Sequence, residues 1–157
     1  MLISTEGKYI LGYDPGKTGG LAIINYSSEL IATFKMPDTS FELLALVTSI
    51  KTEFPNSICY VEDVGPNSFT KASYLLGYSR AQIEVATASN NIRMELVKAR
   101  KWQTELKCLT GGDKNVTKKT AMRLFPDEKV THSTADAILI AEYGRKSELL
   151  MLAAQAN

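Results

Sequence analysis

Two apolar, β-rich runs at residues 9–14 and 21–25 are separated only by Pro15-Gly16-Lys17-Thr18-Gly19-Gly20. That segment is a cluster of turn formers too short to hold a crossover helix, so the two runs must pair as an antiparallel hairpin. A third strand is expected over residues 30–36. Pro37-Asp38-Thr39-Ser40 then forms a loop ending in a capping residue, and Phe41, Leu44, Ala45, Thr48 and Ile50 recur at helical spacing before Pro55. Ser57-Ile58-Cys59-Tyr60-Val61-Glu62 is a short continuous apolar run bounded by turn residues, which suits a buried central strand reached through that helix.

Beyond it, residues 70–89 read as a helix, with Leu75, Ser79, Ile83 and Ala86 on one face and Tyr74, Ala81, Val85 and Ala88 around the others. A helix apolar on several sides needs more than one partner. Ile92, Met94 and Leu96 alternate as a last strand. Two basic helical stretches follow, one around Trp102 and one over residues 115–125, separated by Gly111-Gly112 and closed by Pro126. A final helix is expected over residues 133–146, with Leu139, Ile140 and Tyr143 on one stripe, followed by an apolar helical tail over residues 147–157. Three strands, helix, strand, helix, strand, helices is the order of a single α/β domain with one mixed five-stranded sheet flanked by helices.

Composition narrows the class. The chain has 157 residues, of which 45% are hydrophobic and 22% charged, a globular profile that excludes disorder as the main state. Cys59 and Cys108 lie far apart without CxxC spacing, so neither a disulfide framework nor a thiolate zinc site is encoded. No signal-like or membrane-length apolar segment is seen, and the expected location is the cytoplasm, that of the host cell if the chain is phage-encoded. The net charge of +1 hides a polarity. Residues 98–123 hold eight Lys or Arg against Glu105 and Asp113, which leaves ten basic and fifteen acidic residues elsewhere. Such a split points to a face that meets a polyanion.

Acidic side chains are rarely buried unless paired or metal-bound, so carboxylates on apolar elements are informative. Asp14 closes the first strand and Glu62 the fourth. Asp136 lies one helical turn from Ile140 on the stripe that should face the sheet. If the first and fourth strands are neighbours, the three acids converge, and a hard divalent cation relieves their repulsion. Mg²⁺, with Mn²⁺ as a substitute, prefers carboxylate oxygens, and two such ions can drive phosphodiester hydrolysis. Asp63 competes with Glu62 because adjacent strand residues point to opposite faces; Glu62 is preferred because it follows the Ile58 and Tyr60 face.

These residues carry a family resemblance. ILGYDPGKTGGLAII resembles the opening hairpin of the RuvC-type Holliday-junction resolvases, YVEDVG their second motif, and THSTADAILIAEYG their last, in the right order over residues 9–146 and closer to the phage and organellar branches. The resemblance implies a ribonuclease H-like fold and a Mg²⁺-dependent homodimer that cuts four-way DNA junctions by symmetric nicks. Asp14, Glu62 and Asp136 then become the catalytic, metal-binding acids. The family often has another acid or a histidine one turn before the last aspartate. Here His132 and Ser133 stand there, so His132 could ligate a metal or orient the attacking water, or could simply precede a helix capped by its neighbours.

Lys101, Lys107, Lys114, Lys118 and Lys119 resemble the family's basic stretch that approaches the scissile backbone, with Lys114 and Lys118 the preferred pair. Phe69 is the nearest candidate for an aromatic wedge at the junction centre, or else a staple over the next helix. For Trp102, core packing competes with stacking on a base. Two matched nicks call for two active sites related by a two-fold axis, and the multi-sided helix at residues 70–89 fits such an interface unless the apolar tail covers it. Rival readings are a junction or branched nucleic-acid binder without catalysis, and an actin-like or sugar-kinase phosphate-binding domain. The latter needs a second domain, and the Gly16-Lys17-Thr18 segment lacks the GxxxxGK[ST] pattern.

Overall fold

The first hairpin forms as its short connection demands. β1 (Lys8–Asp14) and β2 (Gly20–Asn25) pair antiparallel, and β3 (Leu30–Lys35) adds to β2 in the same sense. The computed structural model describes residues 6–65 and 71–156. After α1 (Ser40–Glu53) the chain returns on the other side of β1 as β4 (Asn56–Glu62), parallel to it; after α2 (Lys71–Ser89) it adds β5 (Arg93–Val97) parallel to β4. The sheet therefore runs β3-β2-β1-β4-β5, mixed and five-stranded, and is flanked by helices in an α/β arrangement. α3 (Ala99–Glu105), α4 (Lys114–Leu124) and α5 (His132–Gln155) complete the chain.

Strand alternation divides the core between two layers. Leu11, Tyr13, Cys59 and Val61 face α1 and α2, where Leu43, Val47, Ile50, Ile83 and Ala86 meet them. Ile10 and Tyr60 face the opposite side, against Ile138, Leu139 and Tyr143 of α5 and Trp102 of α3. Each fully buried Ile or Leu in these layers contributes roughly 1.5–3 kcal/mol of apolar transfer.

The approach of α5 to the sheet is set by missing side chains. A Cβ on Gly12 would fall 2.6 Å from the Ala141 backbone nitrogen and closer still to the Ala137 carbonyl oxygen. One on Gly144 would fall 2.6 Å from the Tyr60 ring. Gly12, with Ala137 and Ala141 facing it, lets α5 lie directly on the β1 backbone, and Gly144 of α5 makes room for the Tyr60 ring. On the other layer, Ser79 of α2 ties down the hairpin turn. The Gly16 N–H donates to its Oγ at 3.1 Å, and its Oγ lies 2.8 Å from the Tyr13 hydroxyl.

Several expectations need correction. The buried stripe of α1 is Leu43, Val47 and Ile50, whereas Phe41 is 81% exposed and Leu44 is also exposed. The stretch from Leu43 to Val47 is apolar all round, so two stripes compete, and the one in register with the sheet wins. Leu75 is likewise exposed on α2, whose buried residues are Ser79, Ile83, Ala86 and Thr87. The final helix does not stop near residue 146 to release a separate tail. α5 is continuous to Gln155 and lies on the layer opposite α2, so the tail does not cover that helix. Tyr74, Leu75, Tyr78 and Val85 of α2 remain exposed.

Candidate active site

Asp14 ends β1 two residues after Gly12, and Glu62 ends β4 two residues after Tyr60, so both belong to the face that α5 covers. The parallel register pairs Tyr13 with Val61, which makes Asp14 and Glu62 neighbours on the next rung, on strands about 4.8 Å apart. Asp136 immediately precedes Ala137, the residue whose carbonyl lies over Gly12. The glycine contact thus delivers the third carboxylate to the ends of the first two.

The electrostatics agree with this placement. Burial holds the Asp14 carboxyl well above the usual carboxylate range; the charges of Glu62 and Asp136 push the same way, and Lys114 opposes them. Glu62 is raised first by burial, is lowered by a hydrogen bond from Trp102, and is raised again by Asp136. One oxygen of Asp136, Oδ1, is buried with no hydrogen-bond partner among the described residues. A buried carboxylate oxygen left unsatisfied is costly in water-free surroundings and is the sort of atom that an added cation satisfies. Among the described residues, no three His, Cys, Asp or Glu side chains form a ready-made cation cage. The acids make a mutually repelling cluster of hard oxygen donors, a donor set suited to Mg²⁺ or Mn²⁺.

The competing acids and polar groups are otherwise engaged. Asp63 accepts from Arg80 Nη1 of α2 at 2.9 Å, on the far layer of the sheet. Ser133 Oγ lies 3.0 Å from Thr131 Oγ1. Thr131 is the N-cap of α5, in a capping box with Thr134, and His132 is exposed at the first helical position. Helix capping at this end is therefore carried by the threonines.

Among the lysines, Lys114, at the first position of α4 after the Asp113 cap, is the one whose charge acts on Asp14. Lys101, Lys107 and Lys119 are exposed and Lys118 is half-buried along the same two helices and the turn between them. Phe69 lies outside the described residues.

Two neighbours of the cluster escape sequence reasoning. Trp102 is fully buried, and its Nε1 donates to Glu62 Oε2 at 2.9 Å, which removes it from any role in stacking on a base. Its sequence signal is position: β5 pairs Val97 with Glu62, and Trp102 lies one helical turn further on. Burial pushes the Cys108 thiol up to about 11; the charge of Asp136 adds to this and that of Arg123 opposes it.

No protein-family model matches the chain, and no curated protein matches it in sequence. Among solved structures it is similar to Thermus thermophilus RuvC in complex with Holliday junction substrate. That match has a TM-score of 0.70 at 16% identity and covers 90% of this chain and 96% of that one. A second structure of Thermus thermophilus RuvC matches with the same TM-score, identity and coverage. At this identity the likeness establishes a shared fold across nearly the whole of both chains.

Proposed function

We propose that this protein is a divalent-cation-dependent, structure-selective endonuclease that acts on four-way DNA junctions, in the manner of the RuvC-type resolvases of the phage-like branch. The observation that carries the reading is the convergence of Asp14, Glu62 and Asp136 at the ends of two parallel strands and under one helix, with an unsatisfied carboxylate oxygen among them. The RuvC fold neighbour that holds Holliday junction substrate supports the choice of DNA.

In this reading Asp14, Glu62 and Asp136 hold Mg²⁺ or Mn²⁺. When bound, such cations supply an activated water and offset negative charge on the phosphodiester. Lys114, whose charge acts on Asp14, steadies the phosphate next to the acids, and Lys118 with Lys101, Lys107 and Lys119 extends the positive surface along the DNA backbone. His132, exposed at the start of α5, is assigned to the water side of the site. Paired nicks require two such sites. The exposed Tyr74, Leu75, Tyr78 and Val85 of α2 supply the apolar surface for a homodimer, and Phe69 precedes this helix as the candidate wedge.

A labelled four-way junction, a flap and a linear duplex incubated with the protein in Mg²⁺ or Mn²⁺ test the assignment. The expected result is paired cleavage of the junction, lost in Asp14→Asn, Glu62→Gln and Asp136→Asn while junction binding persists. Loss of binding in parallel with cleavage contradicts the assigned roles. The lack of a ready-made cage of three His, Cys, Asp or Glu side chains among the described residues favours one second reading, junction binding without cleavage. The same assay separates the two, because only binding then survives in the wild type.

A further inference from the structure

Of the three clustered acids, Glu62 is the one whose carboxylate is held by a neutral donor among the described residues. Trp102, buried to zero exposure beneath α5, donates from Nε1 to Glu62 Oε2 at 2.9 Å. Its ring is fixed from two directions. The backbone of α3 runs from Lys98, whose carbonyl accepts from the Trp102 N–H, and the indole packs in the core layer with Val97, Cys108 and Ile138. β5 pairs Val97 with Glu62, so the strand that positions the acid also launches the helix that positions its donor. The chemistry of the donor matters. An Arg or Lys there would cancel a negative charge of the cluster permanently, whereas an indole N–H orients one oxygen and leaves the charge in place.

We infer that Trp102 is a positioning residue for the cation centre, fixing Glu62 through Oε2 so that its other oxygen is presented to a divalent cation. This inference rests on the proposed reading of Asp14, Glu62 and Asp136 as cation ligands. Outer partners that orient a ligand typically contribute 10–100-fold to metal affinity.

Trp102 is the only tryptophan of the chain, so its indole N–H gives a single resonance in a heteronuclear NMR spectrum of the DNA-free protein. Titration with Mg²⁺ alone is expected to move that resonance along the same saturation curve as the backbone amides of Asp14 and Asp136. Trp102→Phe, which keeps an aromatic ring but loses the donor, is expected to weaken Mg²⁺ binding about tenfold, followed by those amides, while Glu62→Gln paired with Trp102→Phe binds no more weakly than Glu62→Gln alone. The wild-type titration keeps the test valid if the phenylalanine variant fails to fold. If the amides of Asp14 and Asp136 saturate while the indole resonance stays fixed, the positioning role is overturned and the cation reading stands. If neither moves, both are overturned.

Discussion

Gly12→Ala tests the link between packing and chemistry. A Cβ at this position would sit 2.6 Å from the Ala141 nitrogen and 2.9 Å from the Ala141 Cβ, and nearer still to the Ala137 carbonyl oxygen. Ordinary contact needs about 3.4 Å or more, so α5 must lift from β1 by roughly 1 Å, because backbone atoms cannot rotate aside as a flexible side chain can. Overpacking of this kind costs about 1–3 kcal/mol, which for a chain of this size lowers Tm by roughly 2–10 °C. Asp136 adjoins Ala137, so the same lift carries it away from Asp14 and Glu62. A misplacement of about 1 Å at a reacting centre can cost on the order of 100-fold in rate.

Thermal unfolding by circular dichroism and junction cleavage on the folded fraction read the two effects separately. Ala141→Gly removes only the side-chain part of the clash, so adding it to Gly12→Ala should restore little of either. A Gly12→Ala protein with unchanged Tm and unchanged cleavage would refute the view that this crossing positions the third carboxylate.

Asp14→Asn should stabilise the cation-free protein even as it removes cleavage. Charges about 5 Å apart at an effective dielectric near 20 repel by roughly 3 kcal/mol, an upper bound for this partly open site. The folded-state pKa of Asp14 is raised, so its contribution to stability is complete below the unfolded value of 3.8 and is lost as pH rises through the folded one. The gain in Tm from Asp14→Asn should therefore be present at neutral pH and vanish in acid; equal Tm values across the range would contradict the buried repulsion. Lys114→Ala should weaken junction binding and reduce the slope of log K against log salt by about one, measured by anisotropy at several salt concentrations. An unchanged slope would remove Lys114 from the phosphate contacts.

Period-two and turn chemistry made the sheet legible. The short Pro-Gly-rich connection forced the hairpin, and the parity of Ile58 and Tyr60 placed Glu62 on its face rather than Asp63, which instead pairs with Arg80. What stayed hidden depends on contacts between distant segments. Gly12 and Gly144 read as ordinary small residues until α5 is seen lying on Gly12 of β1 and setting its own Gly144 against the Tyr60 ring, and the indole donor of Glu62 comes from a helix 40 residues away in sequence. In α1 an all-round apolar stretch left the buried stripe undetermined, and tertiary packing chose Leu43, Val47 and Ile50. The sequence divides α5 into a helix ending near residue 146 and an apolar helical tail, whereas buried Glu148, which accepts from the Tyr60 hydroxyl at 2.8 Å and pairs with Arg93, anchors that part of one continuous helix to the sheet.

The most direct measurement is the anomalous scattering of a crystal soaked in Mn²⁺ without DNA. The account predicts a peak among Asp14, Glu62 and Asp136, within about 2.0–2.3 Å of a carboxylate oxygen from at least two of them. Full occupancy elsewhere on the surface, with the three carboxylates untouched, would contradict it.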